Sequence, residues 1–139
     1  MGKSFISAKF TVMGDPIGKQ SPRMTRTGRA YIPAKSRGYI NSVTLSAAEV
    51  LNAPLEGALS VKICSYKARP KALRRKKDPE GTIWCPKKPD ADNIAKSVLD
   101  GLKPWFDDAL VVRLIVETMY AEKSGGPRVV VLVEKIDGC

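Results

Sequence analysis

Five carboxylates crowd into KPDADNIAKSVLDGLKPWFDDALVV, the stretch from Lys88 to Val112. Asp90 and Asp92 stand one residue apart at the start of a helical pattern, Asp100 follows, and Asp107 and Asp108 form a second pair just before an apolar run. Acids packed this way repel one another unless positive charge sits among them. The chain has no histidine, so it offers no imidazole base and no Ser-His or Cys-His nucleophile pair. A hard cation taking oxygen ligands is the simplest counter-charge, and the pattern reads as a Mg2+ site. The bland alternative is that Asp90 and Asp92 cap the helix while Lys96, one turn past Asp92, bridges its acidic neighbours. Each such surface contact is worth under about 1 kcal/mol. Taken singly, every residue fits that alternative, but it does not account for the second acid pair.

A helix must carry the first pair. Pro89 suits its opening, Gly101 its stop, and Ile94, Ala95, Val98, Leu99 and Leu102 form one apolar stripe to pack on a sheet. Asp92, Lys96 and Asp100, spaced by four, line the opposite side. A short connection through Pro104, Trp105 and Phe106 then leads to Asp107 and Asp108 at the head of the β-forming run Leu110 to Tyr120. A strand end beside a helix start is expected to bring the two acid pairs together. Arg128 to Ile136 is a further strand, and the turn AEKSGGP predicts that the two pair as an antiparallel hairpin. Upstream, Ser4 to Met13 reads as a strand and Lys35 to Leu51 as a helix closed by Pro54. Ala58 to Tyr66 reads as a strand with Val61 and Ile63 on one face and Lys62 and Cys64 on the other, Cys64 being expected as a buried, inert thiol. The order strand, helix, strand, helix, strand, strand predicts an α/β (α+β) fold, a mixed sheet with helices packed against it, as a single domain over residues 1–139.

Charge is divided between two unlike halves. The net charge is +10, yet residues 1–88 carry 18 Lys and Arg against 5 acids, and residues 89–139 carry 6 against 9. A basic surface around a local acid cluster suits a metal-dependent nuclease, the bases holding phosphates and the acids the metal. The same composition also suits a non-catalytic nucleic-acid-binding protein. Two irregular segments concentrate the bases. GDPIGKQSPRMTRTGRAYIP, punctuated by Gly and Pro, predicts a hairpin-like arm presenting Lys19, Arg23, Arg26 and Arg29 to DNA, with Tyr31 at its end. Lys67 to Lys88 reads as a mobile loop in which Arg69, Lys71, Arg74, Arg75, Lys76, Lys77, Lys87 and Lys88 grip substrate, its far end anchored by Trp84 and Cys85. The three cysteines lack CxxC spacing, so neither a zinc site nor a disulfide framework is favoured. No apolar run reaches the roughly 20 residues of a membrane span, and the start lacks a signal-peptide core, which predicts a soluble cytoplasmic protein.

PDADNIAKSVLDGL followed by WFDDALVV resembles the D-x-D-N-x-x-K and D-D signature of the RusA family of Holliday junction resolvases. The basic arm is similar to that of prophage members, so the resemblance covers most of the chain. It implies that Asp90, Asp92 and Asp108 bind the metal, that Lys96 is the essential lysine, and that Asp107 and Asn93 support them, Asn93 by side-chain hydrogen bonds at the helix start. It further implies a homodimer acting on branched DNA, with Mg2+ or a substituting Mn2+, through paired cuts that leave 5′-phosphates. A nuclease acting on flaps or forks is the nearest alternative. The link from Leu102 to Asp107 is shorter than in many members, and Ala109-Leu110 replaces a common polar pair.

Overall fold

The computed structural model describes residues 6–137. Strand β1 (Ser7–Met13) alternates, with Phe10 and Val12 buried and Lys9, Thr11 and Met13 exposed. The expected beginning of this strand at Ser4 and Phe5 lies outside the described residues. The basic arm follows and holds a two-stranded ribbon of β2 (Arg23–Met24) and β3 (Ala30–Tyr31), the hairpin that its Gly and Pro spacing predicts. Helix α1 (Ala34–Ala47) buries Ser36, Tyr39, Val43 and Ala47, a three-four-four spacing that lies on one face. It ends before the predicted Leu51 and leaves Leu45 exposed.

Strand β4 (Leu59–Lys67) comes next, then a loop with one 3-10 turn and the short β5 (Ile83–Trp84). Helix α2 (Ala91–Gly101) leads through a second 3-10 turn (Asp108–Leu110) into β6 (Val111–Tyr120), and β7 (Arg128–Lys135) closes the order. The sheet runs β1-β7-β4-β6-β5, with every neighbouring pair antiparallel except β4 and β6. The mixed sheet with packed helices matches the fold class expected, but β6 and β7 do not form the predicted hairpin. β4 lies between them, bonded to both. A parallel β4–α2–β6 crossover lays its helix on the sheet, which leaves β7 the other side of β4. The seven residues between β6 and β7 readily cross the ~10 Å that separates strands flanking a third.

Both helices contribute to one core on one face of the sheet, where Leu59, Val61, Ile63, Val129, Val131 and Val133 meet Val43, Ile94, Val98 and Leu102. Fully burying each such side chain is worth about 1.5–3 kcal/mol. Gly101 is the last residue of α2, as expected, and it has a second part. It is where α2 touches α1, since a Cβ there would fall 2.6 Å from the Val43 Cβ. Thr44 Oγ1 bonds the Gly101 carbonyl at 2.7 Å to close the same contact.

Two residues have roles the sequence did not assign them. Arg69, expected to grip substrate, is buried and donates to the carbonyls of Ala121, Leu73, Pro79 and Gly81. It is the internal staple of the 67–88 loop. Cys64 is not in the core but half-buried on the helix-free face beside Glu117, whereas Cys85 is buried and anchors the loop's end, with Trp84 exposed beside it. Among the described residues, no helix is long and apolar enough to cross a membrane.

Candidate functional site

Asp90 occupies the N-cap position of α2, where a carboxylate ordinarily accepts from the first free backbone N–H groups. It makes no such bond. Its position comes instead from the basic arm, which is threaded between the helices. Lys19 N–H donates to the Asn93 carbonyl at 3.0 Å, and Ser97 Oγ donates to the Ile17 carbonyl at 2.8 Å. On the other side, Gln20 N–H donates to the Ser36 hydroxyl at 2.9 Å. Only glycine fits at position 18, because a Cβ would approach those of Asn93 and Pro89 to 2.9 and 3.0 Å. Asn93 therefore orders the helix start through its backbone carbonyl and its packing, rather than through the side-chain bonds expected.

The carboxylates fall into two groups. Asp92 is exposed and lies 3.7 Å from Lys96 Nζ, the one-turn spacing that the sequence predicts. Asp100 is drawn away by Lys19, whose ammonium lies 2.6 Å from it. That pair engages Lys19 internally and sets it apart from the exposed bases of the arm. Asp107 accepts from the Ala109 N–H at 2.9 Å, which holds its carboxyl below the usual range. Asp108 is exposed at the mouth of the same turn.

The two groups do not meet within one chain. Helix α2 begins beside the Lys67 and Tyr120 end of the sheet, where Lys67 Nζ donates to the Lys88 carbonyl, and finishes where Trp105 contacts Leu51 and Leu55. β6 starts at that second end, with Val111 against Leu59. Asp90 and Asp92 are thus separated from Asp108 by about the length of α2, roughly 16 Å at 1.5 Å per residue. Accordingly, no group of three metal-capable side chains comes together among the described residues. The all-oxygen donors at Asp90 and Asp92 suit a hard cation, but a single chain supplies only part of the set.

The bases lie where they can serve the first acid group. An open cleft of about 630 Å³ is walled by Asp90 and Asn93 on one side and by Gly18, Arg23, Lys35 and Lys88 on the others. Lys35 was not singled out in the sequence. It stands in the first turn of α1, where the helix dipole disfavours a cation, and that misfit was the available signal. Arg26 and Arg29 are exposed on the ribbon, and Lys76, Lys77 and Lys87 are exposed along the loop. Arg74 and Arg75 are partly engaged, with the Arg69 carbonyl and with Asp78 respectively.

No curated protein matches this sequence. The family model described as endodeoxyribonuclease RusA matches residues 13–134, which take in the arm, both helices, both acid groups and the strands from β2 through all but the last residue of β7. On that match, the chain belongs to the RusA family of endodeoxyribonucleases.

Proposed function

We propose that the protein is a Mg2+-dependent endonuclease that resolves four-way DNA junctions by paired, symmetric strand cuts. The observation that carries this reading is the cleft in which Asp90, free of any capping bond, faces Arg23, Lys35 and Lys88. A structural cap would spend its carboxylate on the helix; this one is left for a ligand. Asp90 and Asp92 would hold the ion; the family resemblance adds Asp108 to the set, and since it lies at the far end of α2 within one chain, it would come from the second chain of the homodimer. Bound there, Mg2+ supplies charge for the scissile phosphate and lowers the pKa of an attacking water, which a chain without histidine otherwise lacks.

The chain's own residues do the rest. Lys96, beside Asp92, is placed to neutralise charge developing on the phosphate. Arg23, Lys35 and Lys88 fix the backbone at the cut, while Arg26, Arg29, Lys76, Lys77 and Lys87 hold the flanking arms. The family resemblance supports a homodimer, and a junction with two equivalent strands to cut suits a two-fold enzyme. Binding is expected to weaken steeply with salt, because most of these contacts are to phosphates.

The test is cleavage of a labelled synthetic four-way junction, next to flap and plain duplex, in Mg2+ or EDTA and with Asp92→Asn. Paired cuts on the junction that disappear in EDTA and in the variant support the reading. Tight junction binding without cleavage in either Mg2+ or Mn2+ would leave a structure-selective binding protein, and preferential cutting of the flap would move the substrate class.

A further inference from the structure

Both helices cover the same face of the sheet, so the residues that alternate with its buried set point outward on the other face. Across one end of that open face the strand registers set five side chains in a row, Trp84, Met119, Tyr66, Arg128 and Met13, one from each strand. The Arg128 guanidinium lies 4.2 Å over the Tyr66 ring, and Trp84 is 68% exposed. We propose that this face is a second DNA-binding surface, a platform on which the bases of a single strand stack, with Trp84 and the Tyr66–Arg128 pair as its two stacking positions. It rests on the reading of branched DNA as the substrate, since a branch exposes unpaired nucleotides that plain duplex does not.

Trp84 is exposed on a backbone that is firmly held. Its strand β5 pairs with β6 at Ile83 and Trp84, and directly after it Cys85 N–H donates to the Thr118 carbonyl while Thr118 Oγ1 donates to the Cys85 carbonyl. Cys85 turns inward and is buried, and its neighbour Trp84 is thereby turned out. A large aromatic ring left in water on a fixed strand is unfavourable unless something covers it. A nucleobase suits that part better than an apolar protein surface, because the ring stands in the most basic stretch of the chain. Lys76 and Lys77 precede it, Lys87 and Lys88 follow it, and all four are exposed. Aromatic rings set among cations are the common means of holding a single strand without reading its sequence.

The rest of the face is suited to the same ligand. Trp84 and Tyr66 stand two strands apart, roughly 10 Å, so neighbouring bases of one extended strand can take them in turn. The Arg128 guanidinium, held on Tyr66 and 3.0 Å from Glu122, offers its outer plane to a base. Beyond Tyr66 lies a hollow of about 230 Å³ lined by Lys9, Lys62, Cys64, Tyr66, Val130 and Leu132. Its aliphatic residues are half-buried and its lysines exposed, an arrangement that receives a base between ammonium groups able to meet the flanking phosphates. Four cationic side chains, Lys9, Lys62, Arg113 and Arg128, share this face of the strands with two acids, Glu117 and Glu134, and Glu117 lies 4.0 Å from Lys62. The balance is positive, as a phosphate chain requires.

The test keeps binding apart from cleavage by working in EDTA. Wild type should bind a single-stranded oligothymidylate of about twelve nucleotides with quenching of its tryptophan fluorescence. The quench belongs to Trp84, because the Trp105 indole is bonded to the Leu51 carbonyl at the far end of α2. Trp84→Ala should weaken that binding about tenfold, Trp84→Phe should keep most of the affinity and lose the quench, and Lys9→Glu should weaken binding and flatten its salt dependence. Affinity for a blunt duplex should be unchanged in both Trp84 variants. No binding of the oligomer by the wild type, wild-type affinity in Trp84→Ala, or an equal loss for oligomer and duplex would overturn the platform, and junction cleavage by the wild type in Mg2+ would then leave the nuclease standing. Trp84-dependent binding of the oligomer by a protein that cuts no DNA in Mg2+ would support the platform while overturning the nuclease reading.

Discussion

Replacing Gly18 with alanine should separate the arm from α2 and so uncouple the bases of the cleft from its acid. The added Cβ would lie 2.9 Å from the Asn93 Cβ and 3.0 Å from the Pro89 Cβ. These atoms are fixed by their backbones and cannot rotate away, so either the arm or the helix start must move. Such overpacking costs about 1–3 kcal/mol. The shift also endangers the Lys19 N–H bond to the Asn93 carbonyl, worth a further ~1 kcal/mol. In a chain of this size 1 kcal/mol moves Tm by about 3–4 °C, so Gly18→Ala should lower Tm by roughly 3–16 °C. Gly38 provides a control of opposite sign. It lies within α1 and a Cβ there meets nothing within 4 Å, so Gly38→Ala should stabilise by about 0.4–1 kcal/mol. Thermal melts of the two variants, read with junction affinity, decide the matter. A Gly18→Ala protein with wild-type Tm and affinity would refute the claim that the arm is locked on α2.

Other perturbations give equally definite expectations. Arg69→Met should cost about 3 kcal/mol or more in urea unfolding, because four carbonyls lose their donor in a largely buried site, and Arg69→Lys should rescue little of it, since an ammonium cannot span them. The buried Tyr39 hydroxyl has no hydrogen-bond partner among the described residues, and burial pushes its pKa up, so Tyr39→Phe should hold stability or raise it by about 1 kcal/mol. The Arg128 guanidinium bonded to Glu122 lowers that carboxyl's pKa below its ordinary value. The stability this pair contributes is therefore complete above about pH 4.3 and lost as pH falls through the lowered value. The Tm difference between wild type and Glu122→Gln should accordingly be constant near neutrality and vanish in acid.

The sequence made the local elements plain where period and punctuation agreed. The stripe Ile94, Ala95, Val98, Leu102 gave α2 its buried face, and the alternation of Val61 and Ile63 gave β4 its own. The failures concern partners chosen across long distances. Nothing local to Leu110–Tyr120 tells it to pair with β4 instead of β7, because that choice is made by the crossover of α2. Arg69 looks like its basic neighbours in composition and differs only in the four carbonyls that the folded loop turns toward it. At the candidate site, the Asp92 to Lys96 spacing was readable because helical geometry is local. The distance from Asp92 to Asp108 was not, since it depends on which way β6 runs beside α2.

The place of β7 has a bearing on how the chain acquires its shape. Last of the strands in sequence, it is second in the sheet, holding β1 against β4 with Ser7 opposite Glu134. β1 has no other strand beside it among the described residues, so the first strand waits, with one edge of β4 open, until a segment about 120 residues later arrives. Closing so long a loop is slow, because its entropy must be met before any contact rewards it. Refolding should accordingly show an early phase confined to β4, α2 and β6, with protection of the β1 amides trailing it, and the open flank of β4 is the place where a half-made chain is most exposed to aggregation.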